Sequence, residues 1–333
     1  MSSNELVVVA IDVGGTTIKC GLIDPSGAVR YADRRPTGRD RGPASVVETI
    51  KTTARDLAHI AADQGLQPTA CGVVIPGVVN ETAGIAEWSG NLGLRDVPLR
   101  TIIADEVGLP TALGHDVRAA ARAEARLGAG TDAARLFFVA IGTGIAGAFV
   151  RDGEVDPGAH GASGEIGHVV IRSGADAAPC GCGGRGCLEA YASAAAIARA
   201  YAMADGGSTI DTAEIARRAA AGELPAAEIW TGAVEALADG LLTGIALFDP
   251  EVIVLGGGLA EAGPLLLDPL RRGLERRRTF HRLPAVIPAQ LGERAGLLGA
   301  ALLALDLPLD PGRGPEPDPA VDSAPPRQGT PRC

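Results

Sequence analysis

Two stretches of the chain follow one plan, and this duplication limits the folds that the chain can adopt. VAIDVGGTTIKCGLIDPSG at 9–27 and VAIGTGIAGAFVRDG at 139–153 both begin with an apolar run that ends in VAI. A glycine-rich turn, a second apolar run and a D-x-x-G or D-G turn follow in both. The pattern predicts a β-hairpin at each place, so we expect an internally repeated fold.

The glycine-rich turns of the two hairpins are candidate phosphate sites. Gly142, Gly144 and Gly147 spell G-x-G-x-x-G, but a dinucleotide site needs a helix after the turn, and AFVRDG predicts a strand instead. Backbone N–H groups of such turns bind phosphate where a Cβ would block the approach. Ordinary glycine-rich hairpins without a ligand are the alternative, and the turns alone do not decide between the two.

The rest of the chain predicts a mixture of strands and helices. A strand with its turn is expected at 71–79, followed by a loop, WSGNLGLRDVPL, before the next helix, and a further strand is expected at 252–255. Helical spacing of apolar residues is found at 43–64, 98–108, 116–128, 189–204, 212–221, 225–247 and 295–306. Residues 307–333 are rich in proline and lack apolar periodicity, so we expect them to be disordered.

Composition excludes several classes of protein. Hydrophobic residues make up 46% of the 333, enough for two packed domains. A net charge of −10 argues against sequence-independent binding to nucleic acid. No apolar run reaches the roughly 18 residues of a membrane span, and the start, MSSNELVVVAID, lacks the basic region of a signal peptide. We expect a soluble cytoplasmic protein with neither nucleic acid nor membrane as a partner.

Half of the six cysteines are clustered. Cys180, Cys182 and Cys187 lie within eight residues, which is compatible with a disulfide, a redox centre or part of a metal site. Loops of the C-x-C and C-x₄-C kind strain disulfide geometry, and a cytoplasmic protein rarely forms disulfides. Three thiolates with one imidazole would form a closed tetrahedral zinc shell.

Four motifs together resemble one known family. DVGGTTIK at 12–19, GEIGH at 164–168, CGCGGRGCLE at 180–189 and VLGGGL at 254–259 are similar, in this order, to those of the ROK family of sugar kinases and repressors. The resemblance spans about 5–305 and is strongest to bacterial glucokinases. It implies the duplicated, ribonuclease H-like α/β fold of actin and hexokinase, with two domains around a central cleft.

The resemblance also implies how the chain is divided and assembled. Residues 1–116 with about 296–306 would form a small domain, and 117–295 a large domain that carries the zinc loop. His168 would be the fourth ligand of a structural Zn²⁺, beside the three clustered cysteines. That ion would fix the loop carrying Glu165 and Glu189, which in the family hold sugar hydroxyls. A homodimer is a further implication.

Asp116 is the candidate general base. In the family the matching aspartate accepts the proton of the sugar's 6-hydroxyl as that oxygen attacks the γ-phosphoryl group of ATP. An aspartate before an alanine-rich helix is also a favoured N-cap, and the two roles are compatible. Asp12 is the expected partner of hydrated Mg²⁺. The residues expected to contact ATP are Gly14, Gly15, Thr16, Gly142, Thr143, Gly144, Gly256 and Gly257. Lys19 either contacts phosphate or is simply solvated.

The expected sugar pocket departs from that of a glucokinase at one position. Gly77 and Asn91 match a turn and a loop beside the sugar, and Glu165, His168 and Glu189 complete the polar shell. In glucokinases the base is the aspartate of the sequence E-N-D-A-N, whereas this chain has Gly114-His115-Asp116-Val117-Arg118. The missing asparagine holds the 3- and 4-hydroxyls in the family, and Arg118 replaces a small polar residue.

A histidine beside the base favours a modified sugar. Neutral histidine offers one donor and one acceptor, and an acceptor nitrogen suits an ammonium group at the 3-position. We therefore rank an amino-hexose such as kanosamine (3-amino-3-deoxy-glucose), for which ROK kinases exist in antibiotic pathways, slightly above glucose. The alternative is neutral drift in an ordinary glucokinase, and polyphosphate is an alternative donor to ATP.

A ROK repressor and a non-catalytic sugar sensor fit the sequence less well than a kinase. ROK repressors carry a helix-turn-helix domain before D-x-G-G-T, and only eleven residues precede Asp12 here. A non-catalytic sugar sensor would lack the aspartate base. Both are disfavoured relative to a kinase.

Overall fold

The computed structural model describes residues 5–207 and 210–308. Its strands are β1 (Glu5–Val13), β2 (Thr17–Ile23), β3 (Val29–Pro36), β4 (Leu66–Ile75), β5 (Val78–Asn80), β6 (Ile85–Ser89), β7 (Leu94–Val97), β8 (Thr111–His115), β9 (Arg135–Ile141), β10 (Ile145–Arg151), β11 (Glu154–Val155), β12 (Val252–Gly256) and β13 (Ala285–Pro288). Its α-helices are α1 (Pro43–Asp63), α2 (Leu99–Val107), α3 (Asp116–Leu127), α4 (Glu189–Ala192), α5 (Ala194–Ala204), α6 (Thr212–Ala220), α7 (Ala226–Phe248), α8 (Pro264–Arg277) and α9 (Ala295–Leu305).

Two five-stranded sheets repeat one topology. The first has the order β3-β2-β1-β4-β8 and the second β11-β10-β9-β12-β13. In both, the first three strands in sequence are antiparallel neighbours, and the two later strands run parallel to the first. The repeated hairpins of the sequence are therefore β1–β2 and β9–β10, which confirms the predicted duplication. The strand that follows Gly142-Thr143-Gly144 also confirms that this turn is not a dinucleotide site.

The strand β1 is buried on both faces, which accounts for its run of valines. Val7, Val9 and Ile11 pack against α1 and α2 on one side of the first sheet. Val8 and Ala10 point to the other side, where they pack with α9. A strand covered on both faces lacks the polar alternation of a half-exposed one.

The helices α3 and α9 lie between the two sheets. Leu297 and Leu298 of α9 belong to the core that covers the first sheet, while Ala121 of α3 packs with Leu136 and Phe138 of the second. The two helices also pack on each other, since a Cβ on Gly299 would overlap the carbonyl oxygen of Ala119. The cleft between the two domains therefore has this helix pair at its base.

The helix α7 is long and apolar enough to cross a membrane by length and composition, but half of its most apolar window is buried inside the protein. Trp230, Leu237 and Leu241 belong to the core beneath the second sheet. We therefore describe α7 as a core helix.

Several predicted elements need correction. The helix expected at 189–204 is two helices, because Ser193 has extended backbone and its side chain caps α5 by accepting the N–H of Ala196. The strand expected with its turn at 71–79 starts earlier, at Leu66, and the turn follows it at Pro76-Gly77 as predicted. The loop expected around 88–98 contains the end of β6 and all of β7. The strands and helices that were not predicted from the sequence are β3, β5, β6, β7, β8, β11, β13 and α8.

The domain boundaries at 116, 295 and 306 stay a prediction. Most of the proline-rich segment, residues 309–333, lies outside the described residues.

Candidate active site and metal centre

A cavity of about 540 Å³ lies between the two sheets. Asp12, at the end of β1, Lys19 on β2 and Asp116, the first residue of α3, line one part of it. Gly256, the last residue of β12 in the second sheet, and Gly257, which follows it, line another. The structure thus brings together three predicted site residues of the first half of the chain with two of the second.

The carboxylate of Asp12 is almost enclosed. Burial and the nearby charge of Asp116 raise the pKa of Asp12 to about 7, while Lys19, whose Nζ lies 4.0 Å from Asp12 Oδ2, acts in the opposite direction. The start of α9 closes the site from behind, since a Cβ on Gly296 would overlap the Asp12 carboxylate. Two carboxylates in one enclosed cavity suit a hard divalent cation such as Mg²⁺.

The N-cap of α3 is His115 and not Asp116. The Nδ1 atom of His115 accepts the N–H of Arg118 at 3.4 Å. Asp116 instead stands at the first helical position, where its Oδ1 accepts the N–H of Val117 at 2.7 Å. The side chain of Asp116 is 30% exposed, so its other oxygen remains available in the cavity. The alternative in which Asp116 serves as the cap is therefore wrong.

The ring of His115 is buried and neutral. Burial lowers its pKa, and Arg118 lowers it further, against the opposing effects of Asp116, Glu165 and Glu81. Nδ1 has two neighbours, the N–H of Arg118 at 3.4 Å and Oδ1 of Asp116 at 3.5 Å. With Nδ1 as the acceptor that caps the helix, the proton of the neutral ring is on Nε2. The free ring nitrogen is therefore a donor, whereas the sequence-based argument for an ammonium sugar assumed an acceptor.

The first glycine turn is held by its own backbone and by a threonine. The N–H of Gly14 donates to the carbonyl of Thr17 at 2.9 Å, and a Cβ on Gly14 would lie 2.8 Å from that oxygen. Thr37, which is fully buried, donates its hydroxyl to the carbonyl of Gly14 at 2.7 Å. Thr37 was missed because it is twenty-three residues away from the turn that it supports.

The second glycine turn is tied to the predicted sugar-binding Glu189. Gly142 N–H donates to the carbonyl of Gly144 at 2.9 Å. Glu189 Oε2 accepts the N–H of Ile145 at 2.8 Å, and a Cβ on Gly144 would overlap this carboxylate. Of the predicted ATP contacts, Gly14, Gly15, Thr16, Gly142, Thr143 and Gly144 are not among the residues that line the 540 Å³ cavity.

Gly77 packs against the strand that carries Trp88 and Ser89, and Asn91 lies next to the first glycine turn. Gly77 has a φ of +111°, and a Cβ there would overlap the carbonyl oxygen of Trp88, so only glycine fits this turn. Asn91, three residues beyond Trp88, has its Cβ 3.7 Å from the ideal Cβ position of Gly15. Arg39 Nη1 lies 3.9 Å from the same position, and this charge was not predicted.

A cluster of three thiols and one imidazole forms the candidate metal centre. One ligand atom from each of four residues lies within 4.8 Å of every other: His168, Cys180, Cys182 and Cys187. His168 Nδ1 is 3.7 Å from Cys180 Sγ, and the sulfurs of Cys182 and Cys187 are 3.8 Å apart. Zn–S bonds of about 2.3 Å in a tetrahedron place neighbouring ligands about 3.8 Å apart, so the four residues fit zinc.

The ring of His168 lies between the metal cluster and the predicted sugar shell. Its Nδ1 faces the thiols, while its Nε2 lies 3.9 Å from Glu165 Oε2. Burial raises the pKa of Cys187 to about 12, so a bound cation is required for that sulfur to be a thiolate near neutral pH.

The sequence model of the ROK family matches residues 8–307. The chain belongs to the ROK family. A glucokinase of Streptomyces coelicolor is 31% identical over 324 residues, which cover 90% of this chain and 97% of that protein.

Solved ROK structures share the fold. A ROK hexokinase from Thermus thermophilus superposes with a TM-score of 0.76 at 34% identity, covering 90% of this chain and 97% of its own. A ROK glucokinase from Streptomyces griseus, in complex with glucose and AMPPNP, gives a TM-score of 0.74 at 30% identity, with 90% and 99% covered. The predicted two-domain α/β fold is thus confirmed.

The segment at 288–293, which completes the cavity, was not predicted from the sequence. Pro288, Ala289, Gly292 and Glu293 line the cavity between β13 and α9. Glu124 of α3 holds this segment: its carboxylate, fully buried, accepts the N–H groups of Gln290 and Leu291 at 3.1 and 2.8 Å. Nothing in the local sequence of 288–293 indicates a site, because its place depends on a helix more than 160 residues earlier.

Proposed function

We propose that this protein is an ATP- and Mg²⁺-dependent sugar kinase that phosphorylates the 6-hydroxyl of a glucose-configured hexose. One observation carries the proposal: the carboxylates of Asp12 and Asp116 share a cavity with the glycines at the end of β12. A phosphoryl-transfer site requires a positioned base, a cation site and a nucleotide cleft, and this cavity offers residues suited to each.

Asp116 acts as the general base in this proposal. Its one free oxygen accepts the proton of the 6-hydroxyl and orients that oxygen in line with the γ-phosphoryl group. The hydrogen bond from Val117 N–H fixes the other oxygen, which limits how the carboxylate can turn. The backbone of the two glycine turns and of Gly256 and Gly257 contacts ATP.

Asp12 would hold hydrated Mg²⁺, with Lys19 as a second positive charge toward the phosphates. When bound, the ion neutralises charge on the phosphate oxygens. Asp12 would bind the ion alone, because the carboxylate of Asp116 contacts the sugar. The enclosed position of Asp12 favours a bound cation, since the carboxylate is otherwise poorly solvated.

A structural Zn²⁺ at the His168 and cysteine cluster would support the sugar side of the cleft. The closed set of four ligands leaves no open position for chemistry. Glu189 is fixed by the N–H of Ile145, and Glu165 Oε2 lies 3.9 Å from Nε2 of His168, so both carboxylates are near the candidate metal centre and available for sugar hydroxyls.

The identity of the sugar is the finer part of the proposal. The carboxylates of Asp116, Glu165 and Glu81 lie near His115, together with the guanidinium of Arg118. The negative charges outnumber the positive one, and this favours an ammonium sugar such as kanosamine. The Nε2–H donor of His115 acts the other way, because it suits a hydroxyl oxygen and repels an ammonium group. Glucose therefore fits as well as the amino-hexose, and we propose to separate them by measurement.

A coupled assay with glucose, kanosamine, mannose and N-acetylglucosamine, each with ATP and with polyphosphate, tests the function. We expect ATP-dependent turnover of a hexose with a free 6-hydroxyl and no turnover of the corresponding 6-deoxy sugar. His115→Asn should change the kanosamine-to-glucose ratio of kcat/KM by about 1–3 kcal/mol, the scale of one mispaired buried polar group. The ratio moves toward kanosamine if the repulsion by the Nε2–H donor dominates in the wild type, and toward glucose if the wild-type ring favours the ammonium sugar. If no hexose is phosphorylated, the function is wrong; if the ratio does not change, His115 is neutral drift.

A homodimer and a cytoplasmic location remain part of the proposal, and sedimentation at micromolar concentration tests the former.

A further inference from the structure

Arg118 is a buried charge beside the sugar side of the cleft. It lies on the first turn of α3, two residues after Asp116, and its side chain is 5% exposed. A guanidinium taken out of water requires acceptors for its five N–H groups. The acceptors of Arg118 come from two separate parts of the chain.

The first set of acceptors follows the turn at Gly77. Arg118 Nε donates to Glu81 Oε1 at 2.9 Å, and its Nη2 donates to the carbonyl of Val79 at 3.5 Å. Val79 belongs to β5, and Glu81 directly follows that strand. The same Glu81 oxygen accepts the backbone N–H of His115 at 3.2 Å. The Glu81–Arg118 pair is thereby joined to the residue that precedes the proposed base.

The second acceptor belongs to the segment that leads into the sugar shell. Arg118 Nη1 donates to the carbonyl of Gly161 at 2.7 Å. Gly161 lies within residues 156–165, which connect β11 to Glu165. The segment also touches β5, since a Cβ on Gly161 would lie 3.0 Å from the carbonyl oxygen of Val79. Its far end is fixed to β10, where Gly147 N–H donates to the carbonyl of Gly164 at 2.7 Å.

We propose that Arg118 is a positioning residue that sets the affinity for the sugar. It holds segment 156–165, and with it Glu165, against β5 and Glu81, so that the two sides of the sugar pocket stay together. The inference rests on the proposed function. Arg118 does not line the cavity that contains Asp12, Gly256 and Gly257, so binding of the nucleotide does not depend on it.

Arg118→Ala tests the proposal through a split between kinetic constants. We expect KM for the sugar to rise about tenfold or more, because Glu165 is no longer held, with a smaller fall in kcat. KM for ATP should change less than about twofold. Arg118→Lys should give an intermediate effect, since one ammonium group cannot reach acceptors on both sides.

Gly161→Ala disturbs the same contact from the other side. Gly161 has a φ of +66°, and the added Cβ would press on Val79, so segment 156–165 moves while Arg118 stays intact. We expect the same rise in KM for the sugar. If Arg118→Ala leaves Glu81 unpaired and fails to fold, the double variant Arg118→Ala with Glu81→Gln removes the stranded charge and should reproduce the effect.

Arg122→Ala is the matched control. Arg122 lies one turn further along α3, also carries ion pairs, and contacts Glu154 and Asp306 instead of segment 156–165. Its removal should leave KM for the sugar unchanged. Backbone hydrogen exchange of residues 161–165, measured without any substrate, should accelerate in Arg118→Ala and remain unchanged in Arg122→Ala.

The outcomes separate this inference from the proposed function. Loss of thermal stability in Arg118→Ala with an unchanged KM for the sugar would overturn the positioning role, and so would unchanged hydrogen exchange at 161–165. If the wild-type protein phosphorylates no hexose, the proposed function fails, and the exchange measurement still decides whether Arg118 holds the segment.

Discussion

At the scale of single residues, the cavity holds two carboxylates in different surroundings. Asp116 is partly exposed and shares a hydrogen bond with its own helix, whereas Asp12 is enclosed by β1, Lys19 and the start of α9. Exposure suits a group that meets a substrate, and enclosure suits a group that holds an ion. The two residues therefore respond differently to substitution.

Asp116→Asn should lower kcat by about 10²-fold or more while leaving the Kd for the sugar nearly unchanged, because the amide keeps the shape but cannot accept the proton. Stopped-flow or steady-state kinetics with calorimetric sugar binding measure both. Asp211→Asn is the control: Asp211 is the N-cap of α6, outside the residues that line the cavity, and asparagine caps equally well. Near-normal turnover of Asp116→Asn would exclude a base at this position.

Asp12 gives a prediction for pH. Its pKa is raised from 3.8 to about 7, so between these values the folded protein keeps a proton that the unfolded chain has released. The Mg²⁺-free protein should therefore lose stability as pH rises from about 4 to about 7, by up to roughly 4 kcal/mol. Added Mg²⁺ should restore part of that loss above pH 7.

Asp12→Asn removes the titrating group and should abolish that part of the pH dependence. Denaturant unfolding of wild type and variant at several pH values, with and without Mg²⁺, measures the difference. If the free energy of unfolding depends on pH in the same way for wild type and Asp12→Asn, ionisation of Asp12 does not destabilise the folded protein.

At the scale of elements, the cysteine loop depends on a ligand cluster more than on a core. Residues 169–188 contain isolated bridges between Val170 and Cys187 and between Pro179 and Arg185, but no long helix or strand. Gly186 has a φ of +79°, and a Cβ at this position would overlap the carbonyl oxygen of Arg172, so the loop needs glycine here. A metal ion bound by the four-residue cluster would cross-link a loop that has little regular structure.

Cys182→Ser should lose zinc and stability together. Metal analysis of wild type should give about one zinc per chain, and the variant should give much less, with a lower Tm. Cys20→Ala is the control, because Cys20 is buried in β2 away from the cluster and its loss should lower Tm without removing zinc. A metal-free wild type that stays folded and active would contradict a structural zinc.

At the scale of the whole molecule, α3 and α9 connect the two sheets. Gly299 of α9 touches the backbone of Ala119 of α3, and Glu124 of α3 holds the segment before α9. Displacement along this contact would change the distance between Asp116 on one helix and Gly296 on the other. The geometry of the cavity thus depends on how closely two helices of small residues pack.

Gly299→Ala should lower the free energy of unfolding by about 1–3 kcal/mol through overpacking, and should lower kcat/KM as well because both helices line the cavity. Gly232→Ala on α7 is the control, since nothing lies within 4 Å of its added Cβ, and a helical glycine-to-alanine change there should stabilise by up to about 1 kcal/mol. Equal effects of the two variants in denaturant unfolding would mean that the helix contact is loose.

The sequence by itself determined the features that depend on neighbouring residues. The repeated hairpins, the start of the helix at Asp116 and the thiol cluster are all local patterns, and the structure contains each of them. Strands such as β8 and β13 were missed because a short edge strand has little pattern of its own and forms only beside a partner from elsewhere in the chain.

Only the tertiary structure decided which distant groups meet. The cap on α3 is His115, whose Nδ1 accepts the N–H of Arg118. Glu81 accepts the backbone N–H of His115, and Arg118 donates both to Glu81 and to Gly161 of segment 156–165. Thr37 supports Gly14, and Glu124 supports Leu291, across 23 and 167 residues. Such contacts satisfy buried donors and acceptors whose partners lie far away in sequence, and a local pattern carries no information about them. The proposed sugar side of the cleft is therefore a property of the folded chain, while the cysteine cluster and the hairpins can be read from the sequence.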